Sequence, residues 1–544
     1  MNILKLLEGV WLWGGFATGA TLVLMIDATK REAEMERQLW AGVFVAGLMI
    51  GLSWFFVKTL GYKPEIGYLI LYAIETGAGV FGGIAILRNL PSIMDKIGIA
   101  YTLKTAAERN KKTDVREIKK HLPVAQKEFD PTDYFSDHEV FFGLDEFKKN
   151  VGLDRAIHRT MPHIQVVGTT GAGKGVVMGV LAAQWITSGE AVFMLDPKDD
   201  EWGPHVYARA ASSAGAEHNY INLRSYEPQF SIFEGANADE IEELFIAGFS
   251  LGDTGKSADF YNISDRKYAS IIARQIAEEG ITAAEAYEIN AEILEKDAPK
   301  FGGKLRELGA VAAANANHGA GISFQKIIEK GGSCYIVGHM RVEKIIRLQK
   351  MILVRLLQIA EKRDRISGPL RPVGIVLDEV KYHLSRTALE ALGAARDKGV
   401  HMVLAHQSLA DLRDVGGDLS GDAVEGAVVE NCKIKICYRV QNPDTAEWLA
   451  RMSGSILVDD EARTVSKNVA LAEKMDSDRT IRQAERYFID ENMLMNLPTY
   501  VAVVYGIGLA KFATISSLQA KKSEENIKIK PVEGKKIALP EEYI

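Results

Sequence analysis

The chain has 544 residues, enough for more than one domain and a sizeable core. It is 47% hydrophobic and 25% charged, an ordinary globular composition, and its net charge of −7 excludes a nucleic-acid footprint spread over the whole molecule. Any DNA contact must come from local patches. The three cysteines, Cys334, Cys432 and Cys437, show neither metal-ligand spacing nor a disulfide framework, so they read as small buried hydrophobes in a reducing compartment.

The N-terminal region is strongly apolar. Val10–Ile26 and Leu39–Val57 carry no charge, and Ile66–Leu87 is a third such run with Glu75 inside it; each is about one membrane span long. A signal peptide fits poorly, because apolar runs recur and no small-residue cleavage site stands out. A transmembrane region of two or three helices is therefore expected over 1–95, and Glu75 faces either a bundle interior or an interface. Leu103–His121 is rich in Lys and Arg and follows the last apolar run, which puts the rest of the chain in the cytoplasm. Topology signalling accounts for those charges more simply than contact with DNA or anionic lipid. Residues 96–150 read as a basic juxtamembrane linker leading into the next domain.

From His163 onward, apolar strands alternate with helical stretches, the pattern of an α/β fold with a parallel sheet. HIQVVG is a buried strand running into a glycine-rich loop, VVMGVLAAQWITSG a helix ended by Gly189, and AVFMLDPKDDEW a strand ending at Asp196. Between Ala236 and Gln325 the strand-like runs stop. Helical stretches rich in Ala and Glu read as an inserted all-α domain, 236–325, inside an α/β domain made of 151–235 and 326–518. SCYIVG, PVGIVLDEV, HMVLAHQ, KIKICYRV and TYVAVVYGIG resume the strands. The charged, Pro-punctuated segment 519–544 reads as a mobile tail or a docking peptide.

The loop is Gly168, Thr169, Thr170, Gly171, Ala172, Gly173, Lys174, Gly175, Val176. It follows a buried strand and opens a helix, the context of a phosphate-binding loop whose backbone N–H groups converge on phosphate oxygens. Lys174 would reach the β- and γ-phosphates. Gly175 stands where the common pattern places a Ser or Thr for Mg²⁺, leaving a working, a dead or a variant site open; a bare glycine turn is the bland alternative. VGIVLDE ends an apolar strand with Asp378 and Glu379, suited to hold Mg²⁺, directly or through water, and to polarise the attacking water. Gln407, ending the next strand, is placed to touch a γ-phosphate, although by itself it is a weak signal.

GTTGAGKG, LDPKDDEW, VLDEVKYHL…ALGAARDKGVHMVLAHQSLADL and ENCKIKICYRVQNPDTAEWLARMSG, in this order, resemble the coupling-protein ATPases of bacterial type IV secretion and conjugation, more distantly the FtsK and HerA DNA translocases. The resemblance implies a RecA-like P-loop NTPase domain with an inserted all-α domain behind a transmembrane region. It also implies a hexameric inner-membrane motor, multi-pass with a large cytoplasmic part, that binds ATP and Mg²⁺. Such a motor recruits a relaxase–single-stranded DNA complex or a protein substrate to the secretion channel. One branch of the family carries Gly after the loop lysine, as Gly175 does here. A neighbouring subunit would supply an arginine; Arg396 is the first choice, ahead of Arg386 and Arg439. The resemblance leaves the acidic α-domain unassigned, and contact with a basic relaxase or an adaptor stands beside solvated helix faces as its reading. The rivals are a chromosome-processing translocase of the same fold and a substrate receptor whose nucleotide site only gates assembly.

Overall fold

The computed structural model describes residues 3–30, 34–59, 66–101, 108–109, 115–126, 128–252, 262–364, 366, 368–416, 419–467 and 473–535. They form two compact units, Met1–Lys111 with Leu457–Arg486, and Lys112–Ile456 with Tyr487–Ile544. Most of the basic segment Leu103–His121 up to residue 114, and the tail beyond 535, lie outside the described residues.

The first unit contains three helices, α1 (Ile3–Lys30), α2 (Glu34–Thr59) and α3 (Ile66–Tyr101). Gly15 meets Glu75 and Gly83 meets Ala20, so α1 and α3 run parallel. Small residues allow that contact: a Cβ on Gly19 would lie 1.9 Å from the Thr76 carbonyl oxygen, and one on Gly79 2.0 Å from that of Phe16. Glu75 faces α1 across this seam. Among the described residues one stretch, Leu69–Asn89, is long and apolar enough to cross a membrane, where the sequence reading expected two or three. The unit also holds a hairpin absent from that reading. Its strands β11 (Ser455–Lys467) and β12 (Glu473–Tyr487) pair with each other, and β11 pairs with β1 (Glu108–Arg109). Residues 457–486 thus belong to the first unit, whereas the sequence reading includes them in the nucleotide-binding domain.

The second unit is built on an eleven-stranded sheet. Its strands are β2 (Glu139–Leu144), β3 (Asn150–Asp154), β4 (Ile164–Val167), β5 (Ala191–Asp196), β6 (His218–Asn222), β7 (Gly332–Val337), β8 (Val373–Leu377), β9 (Val400–His406), β10 (Ile434–Cys437), β13 (Val501–Tyr505) and β14 (Lys511–Thr514). The order is β3-β2-β14-β13-β10-β4-β9-β8-β5-β7-β6. From β10 to β6 the pairings are parallel, as expected; β13, β14, β2 and β3 pair antiparallel, so the sheet is mixed. β2 and β3 belong to the sheet, which therefore begins before residue 151.

Both faces of the parallel part are covered, and the strands are apolar throughout for that reason. Phe193 and Leu195 of β5 enter one core; Val192 and Met194, pointing the other way, enter the second. The second core is covered by α5 (Lys174–Thr187) and α6 (Gly203–Ser213). The helices α7 (Ala238–Phe249), α8 (Asn262–Glu279), α9 (Ala283–Asp297) and α10 (Pro299–Gly309) lie between β6 and β7 in sequence, matching the insertion. Their Phe245 and Phe301 share the first core with Phe193 of the sheet and Met351 of the helix Glu343–Glu361, so the insertion is not a separately cored domain.

Of the two readings of the tail, docking matches the structure up to residue 535. Val532 N–H donates to the Pro228 carbonyl (3.0 Å) and Asn317 N–H to that of Glu533 (2.9 Å); Lys535 pairs with Glu288 of α9.

Candidate nucleotide-hydrolysis site

The loop Gly168–Gly173 joins β4 to α5 at the C-terminal edge of the parallel strands, where open α/β sheets place their ligands. Three neighbours hold it. Gly168 N–H donates to the His406 carbonyl at the end of β9 (3.3 Å), Thr169 N–H to that of Arg439 beyond β10 (2.9 Å), and Tyr500 N–H to that of Ala172 (3.0 Å). Gly173 needs to be glycine, because its φ is +126° and a Cβ would lie 2.8 Å from the Tyr438 ring. Lys174 is buried, with Nζ donating to the Gly168 carbonyl at 2.6 Å. Burial, and next the charge of Lys198, hold it below the ordinary lysine range.

β8 and β9 are adjacent, so their ends bring Asp378, Glu379 and Gln407 together. Gln407 Nε2 donates to Glu379 Oε1 at 3.0 Å, and Glu379 N–H to Asp378 Oδ1 at 3.0 Å. Glu379 is left-handed (φ +46°), an uncommon state for a residue with a Cβ and one that gathers at functional sites. Lys198, two residues past β5, supplies the cation: its Nζ lies 3.0 Å from Asp378 Oδ2 and 2.5 Å from Glu379 Oε1. Burial raises the Asp378 carboxyl above its usual range. Burial acts the same way on Glu379, but the hydrogen bonds from Lys198 and Gln407 outweigh it and hold this carboxyl low. The pair therefore divides into a harder and an easier carboxylate to ionise.

A cavity of about 620 Å³ opens beside the loop, lined by Lys174, Asp378, Lys198 and Tyr500, and on one side by Leu518 and Gln519 at the start of the tail. Among the described residues no group of three or more His, Cys, Asp or Glu side chains gathers to hold a metal. A single carboxylate pair that already draws a cation suits Mg²⁺, which is commonly held by one or two carboxylates together with substrate phosphates. Gly175 faces open space: a Cβ there would meet nothing within 4 Å.

The predicted residues Gly168 to Val176, Asp378, Glu379 and Gln407 thus converge. Arg396 does not join them. It precedes β9, at the end of the strand opposite Gln407, and pairs with Asp397 at 3.3 Å; Arg386 pairs with Glu390 near the start of the helix Arg386–Ala395. The Arg439 backbone carbonyl adjoins the loop, and among the described residues its Nε is buried without a hydrogen-bond partner. Lys198, Asp196 and Tyr500 escaped the sequence reading as site residues, and Arg439 entered it only as a lower-ranked arginine for a neighbouring subunit. For the first two the signal was available: LDPKDDEW ends an apolar strand in an acid, as VGIVLDE does. All three cysteines are buried and free, and burial pushes the Cys432 thiol up to about 12.

Residues 372–499, which contain Asp378, Glu379 and Gln407, match the family model described as the TraM recognition site of TraD and TraG. Mobilization protein A of Escherichia coli is 31% identical over 341 residues, 60% of this chain and 60% of that relative, so the match spans well under two thirds of its length. Among solved structures, the unbound monoclinic form of the bacterial conjugative coupling protein TrwBdeltaN70 aligns with a TM-score of 0.51 at 16% identity, covering 76% of this chain and 97% of that one. The plasmid coupling protein TrwB in complex with ADP and Mg²⁺ aligns with a TM-score of 0.51 at 16% identity, covering 74% and 93%. At that identity the two structures speak for the fold alone. In sequence this chain is similar over part of its length to Mobilization protein A and to the recognition-site model of TraD and TraG, and in fold to the coupling protein TrwB.

Proposed function

We propose that this chain is the membrane-anchored ATPase of a conjugative transfer system, an inner-membrane motor that recruits a relaxase–single-stranded DNA complex or a protein substrate and drives it to the secretion channel. One observation carries the reading: the Lys174 loop and the Asp378–Glu379–Gln407 cluster, far apart in sequence, meet at one edge of the sheet beside a cavity large enough for a nucleotide. The ADP and Mg²⁺ of the TrwB complex agree with it.

In this reading the loop N–H groups bind phosphate oxygens, and Lys174 leaves the Gly168 carbonyl for the β- and γ-phosphates. Asp378 holds the metal, directly or through water, and Mg²⁺ when bound supplies charge neutralisation on the transferring phosphoryl group. Glu379 orients the attacking water, and Gln407, bonded to Glu379, links that carboxylate to the phosphate position. Thr170 is exposed beside the loop and free to assist where Gly175 offers no hydroxyl. In a hexamer a neighbouring subunit adds an arginine: Arg396 is exposed and available to a neighbour, whereas the Arg439 carbonyl is held by the loop of its own subunit. α1 to α3 form a multi-pass anchor whose apolar stretch is Leu69–Asn89, with the second unit cytoplasmic. The inserted helices offer an acidic face to a basic relaxase or an adaptor.

Lys174→Ala tests the motor. DNA-stimulated ATP hydrolysis by the detergent-purified protein, and transfer by cells carrying the variant, should both be lost. Transfer that survives the change would leave only the receptor reading, in which the nucleotide site gates assembly.

A further inference from the structure

The turn after β5 has a cost that the fold alone does not explain. Asp196 is buried, and burial raises its carboxyl above the usual range. Its Oδ1 accepts from the backbone N–H groups of Lys198 (2.8 Å) and Asp199 (3.2 Å), its Oδ2 from Asp200 N–H (2.6 Å) and the Tyr335 hydroxyl (2.7 Å). Asp199 adopts a left-handed backbone, φ +65°. A buried charge and a left-handed residue are both unfavourable unless something is obtained in return. What the turn presents is Lys198, whose ammonium bridges Asp378 and Glu379. The loop lysine is turned the other way, onto the Gly168 carbonyl.

We infer that Lys198 is the resident cation of this site before nucleotide binds: it occupies the place between Asp378 and Glu379 and, together with Gln407, keeps the Glu379 carboxylate engaged until a nucleotide–metal complex enters. The inference rests on the nucleotide reading above. Lys198 cannot share Asp378 Oδ2 with a divalent metal without like-charge repulsion at contact distance. It must therefore withdraw, and its flexible four-carbon stem lets it move to the incoming phosphate oxygens. The carboxylates are thereby kept paired before nucleotide binds, and Glu379 becomes free to orient water only when a phosphate is present to draw Lys198 off.

The test is Mn²⁺ binding to the full chain in detergent without nucleotide, followed by electron paramagnetic resonance. Lys198→Gln should bind Mn²⁺ at least tenfold more tightly than wild type, and Lys198→Arg should stay within about threefold of wild type. Asp378→Asn added to Lys198→Gln should abolish the gain. Equal affinity in wild type and Lys198→Gln, or a gain that persists without the Asp378 carboxylate, overturns the inference. Should Lys198→Gln fail to fold by its melting curve, Lys198→Met carries the same comparison. The readout needs no nucleotide, so the two ideas fail separately: a tenfold gain in a chain that never hydrolyses ATP supports the resident cation and overturns the ATPase.

Discussion

Replacing Asp196 with Asn removes one negative charge and almost no volume, so the response isolates the turn that aims Lys198. In the native chain the carboxylate accepts four hydrogen bonds, two on each oxygen. An amide has one acceptor oxygen, so either Asp200 N–H and the Tyr335 hydroxyl, or the N–H groups of Lys198 and Asp199, face an NH₂ group. Hydrogen bonds to a charged acceptor contribute roughly 1.5–3 kcal/mol each, so the gross loss is about 3–6 kcal/mol. Burial of the charge opposes that gain, as the raised Asp196 carboxyl shows, and removing the charge returns part of it. A net destabilisation of about 2–3 kcal/mol is expected, large but below the 5–15 kcal/mol typical of a domain. The variant should fold, with a lower urea midpoint followed by tryptophan fluorescence, since Trp202 adjoins the turn. Turnover should fall at least tenfold because the turn no longer aims Lys198 at the incoming phosphate oxygens. Nucleotide affinity should stay within about threefold, because the loop and Lys174 are untouched. A variant with the wild-type midpoint and wild-type turnover would refute the reasoning.

Acid should destabilise the second unit well before its surface carboxylates titrate. His163, His383 and His406 are buried, and burial lowers each to about 4 from an unfolded value near 6.5. The unfolded chain binds more protons between those values, so stability is intact above about pH 6.5 and falls as the pH drops towards 4, by on the order of 2 kcal/mol per histidine at pH 5. Melting temperatures flat from pH 7.5 to 5 would contradict this. Gly175→Ser should keep turnover within about threefold of wild type, since the added atoms enter open space and serine suits a helix better than glycine; turnover seen only in the serine variant would mean that the native site is dead. Gly79→Leu should lower the melting temperature of the helical unit in detergent, because its Cβ would fall 2.0 Å from the Phe16 carbonyl oxygen, while Gly42→Leu, with nothing within 4 Å, should match wild type.

Much of the candidate site was legible because its parts are local. A buried strand, a glycine-rich turn and a helix follow one another within Ile164–Thr187, and Asp378 with Glu379 marks a strand end with no need of partners. The same holds for the inserted helices, whose apolar periodicity is confined to each segment, and for the burial of the cysteines. Pairing is different in kind. Strand composition reports burial but not direction, so β13 reads like its parallel neighbours although it runs against β10. The hairpin 455–487 is rich in charge and was hidden among helical and loop-like stretches. The tail carries Pro and Lys like a free peptide, yet its backbone hydrogen bonds find partners at Pro228 and Asn315.

The sequence by itself therefore determined β4, β5 and β7 to β10 as strands, where the glycine-rich loop sits and which acids end a neighbouring strand, because these depend on residues within about a dozen positions of one another. Only the tertiary structure decided that Lys198 stands on Asp378 and Glu379, about 180 residues away, and that Arg439 and not Arg396 adjoins the loop of its own chain. A charge's partner is chosen by strand order and by the turn that aims it, and neither leaves a periodic trace along the chain.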